Sequence, residues 1–100
     1  MIVPYSHILV LSCLLFGLGM FCTLTRRNLV MVLLGLEIML NAAAVALIGA
    51  SLQWQHLDGQ ALVIFVIVVA AAEVSVGLAL VVALYRSTGS VDPILLEEVD

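Results

Sequence analysis

The sequence predicts an all-α integral membrane protein with three transmembrane helices. Hydrophobic residues make up 65% of the chain and charged residues only 10%, whereas a soluble domain averages about 25% charged residues. So few polar groups cannot cover a folded core, so we expect the bilayer to be the solvent of this chain. Two polar breaks divide the 100 residues into three apolar runs, each close to the roughly 20 residues that a spanning helix needs.

The first predicted helix covers residues 7–24, and Pro4 stands just before it, where proline favours a helix start. A cleavable signal peptide is the alternative for this run. The run is long, no basic segment precedes it and no small-x-small cleavage site follows it, so we expect a retained helix. Cys13 and Cys22 are nine residues apart. At about 100° per residue they point to opposite faces of the helix and cannot pair with one another.

The first break is residues 25–28, and the second predicted helix covers residues 29–52. Arg26 and Arg27 are two of only three basic residues in the chain. Cytoplasmic loops carry the excess of Lys and Arg, so this break is expected in the cytoplasm. Two roles remain open for the pair. It either sets topology and anchors headgroups, or one arginine also lines a polar path or pairs with an acid of a partner.

The second break is residues 53–60, which contain no Lys or Arg. We therefore expect it on the opposite side of the membrane. Asp58 and Gly59 are typical of a turn, and Trp54 fits an interfacial aromatic residue.

The third predicted helix covers residues 61–85, and Arg86 follows at its end. All three arginines then lie on one side, which predicts a periplasmic N-terminus and a cytoplasmic C-terminus. Residues 1–86 are expected to form the membrane domain and residues 87–100 an acidic cytoplasmic tail.

Two glutamates interrupt the apolar runs deep inside the predicted spans. Glu37 lies roughly 13 Å from the cytoplasmic end of its helix and Glu73 roughly 18 Å from the end of its own, at 1.5 Å per residue, so both are near the middle of a core about 30 Å thick. A carboxylate at that depth costs about 2.5–3.5 kcal/mol. No Lys or Arg lies within two helical turns of either residue. Each carboxyl must therefore be protonated, hydrated or paired with another subunit.

The neighbours of the two glutamates favour helix packing around them. Each acid shares a helix face with small or polar residues, namely Asn41 and Ala44 for Glu37, and Ala70 and Gly77 for Glu73. Small residues let helices approach closely. Burial disfavours the charged form of a carboxyl group, and a carboxyl that can be protonated can load and release protons. We interpret Glu37 and Glu73 as a proton relay with Asn41 as a polar support. The alternative is that each glutamate only hydrogen-bonds a neighbouring helix and fixes the assembly.

Four classes of small apolar protein carry buried acids. They are a subunit of a proton-translocating machine, a small drug/proton antiporter, the rotor subunit of an ATP synthase, and an assembly or regulatory peptide. An antiporter usually has four helices and aromatic residues that stack a cation, and a rotor subunit has two helices and one acid. An assembly peptide leaves two buried acids unexplained. The absence of Cys-x-x-Cys and Cys/His clusters argues against a metal, haem or iron–sulfur site, and the net charge of −4 argues against nucleic acid.

Two blocks of the sequence resemble the subunit K family of bacterial respiratory complex I, the proton-pumping NADH:quinone oxidoreductase. The first runs from Arg26 through Gly35-Leu36-Glu37-Ile38-Met39 to Asn41-Ala42, and the second joins Asp58-Gly59-Gln60 to Ala70-Ala71-Ala72-Glu73 and Gly77-Leu78-Ala79-Leu80. The similarity extends from His7 to about Arg86. The small C-type component of multisubunit cation/proton antiporters is the nearest relative that could be confused with it, and the Asp-Gly-Gln and Ala-Ala-Ala-Glu blocks favour complex I.

The resemblance implies a non-redox subunit of the membrane arm in the bacterial inner membrane. It implies that Glu37 and Glu73 relay protons or charge along a polar axis between the quinone end and the antiporter-like pumps, and that Arg26 and Arg27 support this path. It further implies that NAD, FMN, iron–sulfur clusters and quinone are bound by other subunits. The expected partners are lipid and other membrane subunits, including the small A and J subunits and the antiporter-like subunit N.

Overall fold

The computed structural model describes residues 3–92 and residue 94. Within this part of the chain it contains three helices and no strand: α1 (Tyr5–Thr25), α2 (Leu29–Trp54) and α3 (Asp58–Thr88). Each helix is long and apolar enough to cross a membrane. The predicted fold class of three membrane-spanning helices is thereby confirmed.

The three helices lie in a flat, antiparallel row with α2 in the middle. α2 packs against both α1 and α3, while the two outer helices hardly touch, and the chain measures 56 × 23 × 15 Å. Among the described residues, only Ala42, Val63 and Leu84 are buried hydrophobic residues. A chain of this shape leaves most of its apolar side chains outside, where lipid or other subunits must cover them.

The ends of the helices follow local capping chemistry. Pro4 is the N-cap of α1, as its position in the sequence predicts. The side chain of Asn28 accepts a hydrogen bond of 2.9 Å from the backbone N–H of Val30 and so caps α2. Gln55 ends α2 in the left-handed conformation, with φ of 54°.

The predicted turn at Asp58 and Gly59 is wrong. These residues form the first turn of α3, which begins at Asp58 and ends at Thr88 rather than at 61 and 85. An acid in the first turn interacts favourably with the helix dipole. Gly59 packs so closely on α2 that a Cβ atom there would lie 2.7 Å from the carbonyl oxygen of Leu47. The connection therefore shrinks to residues 55–57.

An aromatic pair marks the end of the row opposite the arginines. Trp54 is the last residue of α2 rather than part of a loop, and its ring centroid lies 5.3 Å from that of Tyr5 in an edge-to-face arrangement. Such pairs stabilise a contact beyond the apolar area that they bury. The first turn of α1 and the last turn of α2 are joined here.

α1 and α2 touch through their backbones at two glycines. A Cβ atom on Gly19 would lie 2.7 Å from the carbonyl oxygen of Gly35, and one on Gly35 would lie 2.8 Å from the carbonyl oxygen of Gly19. Both glycines are buried. The Thr23 hydroxyl donates a 2.8 Å hydrogen bond to the carbonyl of Gly19. Only a residue without a side chain fits on either side of this crossing.

Candidate functional site

The packing of α2 against α3 places the two glutamates at the same level, that is, at the same height along the helix axes. A Cβ atom on Gly77 would lie 2.5 Å from a methyl carbon of Leu33, so these two residues face each other. The helices are antiparallel, and four residues along each of them lead from this contact to Glu37 on α2 and Glu73 on α3. Four residues are close to one full turn. Both glutamates therefore lie about one turn beyond the contact of Gly77 with Leu33.

Glu37 belongs to the side of α2 that faces α3. Gly35 faces α1, and two residues rotate the helix by about 200°. The Glu37 side chain is half-buried, and its Oε1 atom is covered by the protein without any hydrogen-bond partner in the described chain. An uncompensated buried oxygen costs about 1–3 kcal/mol. A bound proton, a water molecule or a partner's donor would remove that cost.

Glu73 lies at the midpoint of α3 and opens onto a groove between α3 and α2. Fifteen residues separate it from Asp58 and fifteen from Thr88. The groove has a volume of about 540 Å³. It is lined by Glu73 and otherwise by apolar residues, namely Leu33, Leu36, Val69, Ala72, Val76, Gly77 and Leu80. Among the described residues that line this groove, Glu73 is the only one with a titratable side chain.

The position of Glu37 along its helix is close to the expected value, whereas the longer α3 places Glu73 roughly 22 Å from its C-terminal end instead of roughly 18 Å. Glu37 is eight residues past Leu29, which corresponds to roughly 12 Å along the helix. Each glutamate has at least two turns of its own helix on either side of it, and no charged residue lies within them.

Asn41 does not contact Glu37 through a hydrogen bond in the structure. The residue is exposed, and no side-chain hydrogen bond involves it in the part of the chain described. It lies one turn from Glu37 and level with Val69, which is also exposed. The amide therefore faces the surroundings of the chain rather than the interior of the helix row.

The three arginines gather at the opposite end of the row from the aromatic pair. Arg26 and Arg27 are exposed residues of the α1–α2 connection, and Arg86 is exposed in the last turn of α3. Arg27 forms an ion pair of 2.6 Å with Asp92, which follows α3. The acid that pairs with an arginine thus comes from this chain. Sequence reasoning did not identify Asp92, although Gly89 after α3 signals a chain reversal toward the arginines.

A comparison with protein families identifies the chain. Residues 7–96 match the family described as NADH-ubiquinone/plastoquinone oxidoreductase chain 4L. The chain belongs to this family. Chain 4L is a membrane subunit of complex I, so the chain is a member of the NADH-quinone oxidoreductase complex and its partners are other subunits of that complex. The predicted resemblance to subunit K is confirmed.

Curated chain 4L relatives share about half of their residues with this chain. NADH-quinone oxidoreductase subunit K 2 of Syntrophobacter fumaroxidans is 59% identical over 93% of this chain and 82% of its own length. NADH-quinone oxidoreductase subunit K of Syntrophotalea carbinolica is 53% identical over 92% of this chain and 91% of its own length. The corresponding subunit of Nitrosospira multiformis is 50% identical over 90% of this chain and 88% of its own length. With bacterial relatives and three spans, the chain 4L protein is a multi-pass protein of the inner membrane.

Proposed function

We propose that this chain 4L protein relays protons through Glu37 and Glu73 and thereby couples quinone reduction to proton pumping in complex I. The observation that carries the proposal is the level placement of the two carboxyl groups across the α2–α3 interface. Carboxyl groups on packed helices, whose axes are 8–10 Å apart, can exchange a proton directly or through one water molecule. Neither group has a basic residue of this chain nearby to hold it permanently charged.

The two carboxyl groups differ in their surroundings, and this difference assigns them different places in the relay. One carboxyl oxygen of Glu37, Oε1, is covered by the protein, so a proton bound there is shielded from the surroundings of the helix row. Glu73 opens onto the groove, where a neighbouring subunit or a water file can donate or accept a proton. Glu73 is then the exchange point with partners, and Glu37 the inner link of the relay.

The partners and cofactors follow from the family. We assign the contacts of this chain to the small A and J subunits and the antiporter-like subunit N, with lipid elsewhere. NAD, FMN, the iron–sulfur clusters and quinone belong to other subunits in this proposal. Support comes from the sequence, whose two cysteines stand nine residues apart and form no Cys-x-x-Cys motif. The chain carries protons and no electrons.

The experiment that tests the relay replaces Glu73 by glutamine in native membranes. Glutamine keeps the size and polarity of the side chain but cannot carry a proton. We expect the NADH-driven proton gradient to form roughly tenfold more slowly. The expected loss is smaller than for a fully enclosed group, because the groove is open and a group of a neighbouring subunit can take over part of the transfer.

Ser75→Ala serves as the matched control for Glu73→Gln. Ser75 is two residues away and exposed, and its hydroxyl bonds only to the Ala71 carbonyl of its own helix. NADH oxidation with a water-soluble artificial acceptor should be unchanged in both variants. A Glu73→Gln complex that pumps as fast as the Ser75→Ala complex would contradict the proposal.

The arginine end of the row is assigned to the cytoplasm under the positive-inside rule. We expect a cysteine at position 87, introduced as Ser87→Cys in a Cys13→Ser, Cys22→Ser background, to react with a membrane-impermeant maleimide only in inside-out vesicles. His56→Cys, in the exposed connection at the other end, should react only in spheroplasts. The reverse labelling pattern would overturn the orientation.

A further inference from the structure

The segment that follows α3 folds back onto the start of α2. We call residues 89–92 the return segment. Gly89 adopts the left-handed conformation with φ of 71° and reverses the chain. The carbonyl of Val91 then accepts a hydrogen bond of 2.8 Å from the backbone N–H of Leu29, and Asp92 pairs with Arg27 at 2.6 Å. Two independent contacts therefore join the end of α3 to the first residue of α2.

The return segment is built to hold that shape. The Thr88 hydroxyl contacts the carbonyls of Leu84 and Ser90, at 2.9 and 3.0 Å. The N–H of Asp92 donates to the Ser90 hydroxyl at 3.2 Å. One carboxylate oxygen of Asp92 accepts the N–H of Ile94 at 3.0 Å while the other meets Arg27. Because each oxygen of Asp92 has its own partner, the carboxylate is held in one orientation toward Arg27, and Asp92 itself is only 23% exposed.

The geometry of the helices explains why the segment must return. Gly77 of α3 contacts Leu33 of α2. Because the two helices are antiparallel, Leu29, four residues before Leu33, lies at the same height as residue 81, four residues after Gly77. α3 continues to Thr88, which is roughly 10 Å past this level. Three extended residues span up to about 10 Å, and three residues lead from Thr88 to Val91. The return segment thus has the length that reaching the start of α2 requires.

We propose that Asp92 is a positioning residue that sets the level of Glu37 relative to Glu73. α2 is a continuous helix, so the height and rotation of Glu37 depend on where its first residue is held. The return segment supplies a partner to the N–H of Leu29, which no residue of α2 can satisfy, and Asp92 fixes Arg27 two residues before it. This inference rests on the proposed relay, because it assigns a role in aligning the two carboxyl groups.

The same contacts distinguish Arg27 from Arg86 at the same end of the row. Arg27 is tied to its own chain by Asp92. Loss of Arg27 should therefore act through the position of α2. Arg86 provides a matched control, since it is exposed at the same end of the row and carries the same charge, so Arg86→Gln removes one positive charge from the same side without touching the return segment.

The test uses the assembled complex in native membranes. It measures the rate of proton pumping driven by NADH and quinone, divided by the rate of NADH oxidation with the artificial acceptor, which reports the amount of complex present. We expect Asp92→Asn and Arg27→Gln to lower this ratio about threefold relative to Arg86→Gln, as loss of a well-held ion pair predicts. The charge reversals Arg27→Asp and Asp92→Arg should lower it further. The double variant Arg27→Asp/Asp92→Arg should recover the ratio at least to that of Asp92→Asn, which a role in assembly alone does not predict.

Hydrogen exchange of the purified complex provides the second measurement. In Asp92→Asn the amide of Leu29 should exchange faster than in Arg86→Gln, because the Val91 carbonyl is released. A charge swap that is no better than either reversal, or a Leu29 amide that exchanges at the control rate, would overturn the positioning role.

A parallel measurement on Glu37→Gln separates the two proposals. Normal pumping in that variant overturns the relay and, with it, the alignment role of Asp92. Lost pumping in Glu37→Gln together with no rescue by the swap overturns the positioning role alone.

Discussion

Glu37→Gln is expected to lower the rate of NADH-driven proton pumping by about 100-fold or more, the effect typical of removing an essential proton-transfer group. The Oε1 atom of Glu37 is covered and has no hydrogen-bond partner in the described chain, so no neighbouring side chain of that part of the chain can take over its proton. Glutamine retains the shape of the side chain, so the complex should assemble. Quinone reduction should fall with pumping, because the two are coupled.

The measurement compares three rates in membranes that carry Glu37→Gln. NADH oxidation with a water-soluble acceptor should persist, whereas quinone reduction and the proton gradient should collapse together. Asp58→Asn is a matched control, since it removes a carboxylate at the exposed end of α3. Equal loss of all three rates would show instead that the variant fails to assemble, and normal rates would show that Glu37 has a structural role or none.

Gly19→Ala is expected to have the largest effect on folding. The new Cβ atom would lie 2.7 Å from the Gly35 carbonyl oxygen and equally close to the Met39 side chain, so α1 and α2 must separate. Overpacking of this kind costs about 1–3 kcal/mol. We expect less chain in the membrane and a lower temperature at which the complex dissociates.

Gly17→Ala is the matched control for Gly19→Ala. Gly17 lies two residues away on the same helix, and a Cβ atom there would meet nothing within 4 Å. Alanine has a higher helix propensity than glycine, by roughly 1 kcal/mol, and this gain is the same at both positions. The difference between the two variants therefore measures the cost of a Cβ atom at the contact between α1 and α2. Equal amounts of the two variants in the membrane would show that α1 and α2 do not approach at Gly19.

The fold class follows from the sequence because composition and the two polar breaks leave few alternatives. Helix ends were less predictable. Asp58 and Gly59 are favoured in turns, but the dipole of α3 favours the acid and the surface of α2 requires the glycine. The helical conformation of these two residues thus depends on the dipole of α3 and on packing against α2, and single-residue turn propensities contain neither effect.

The candidate site was only partly predictable. Periodicity identified Glu37 and Glu73, and their approximate depth, since a carboxyl in an apolar run is conspicuous. Their common level depends on the register set by Gly77 against Leu33, which a single sequence does not specify. The same holds for Asp92, whose pairing with Arg27 requires the chain to reverse at Gly89. Asn41 shares a helix face with Glu37, yet it is exposed, and side-chain exposure depends on packing that a single sequence does not specify.

The central claim is that Glu37 and Glu73 are consecutive links of one proton path. The measurement that tests it most directly is the proton-pumping rate of Glu37→Gln, Glu73→Gln and the double variant in the same membranes. Residues that act as a unit give strongly non-additive losses. The account predicts that the double variant pumps as slowly as Glu37→Gln alone. A double variant whose loss equals the product of the two single losses would show two independent groups and contradict the account.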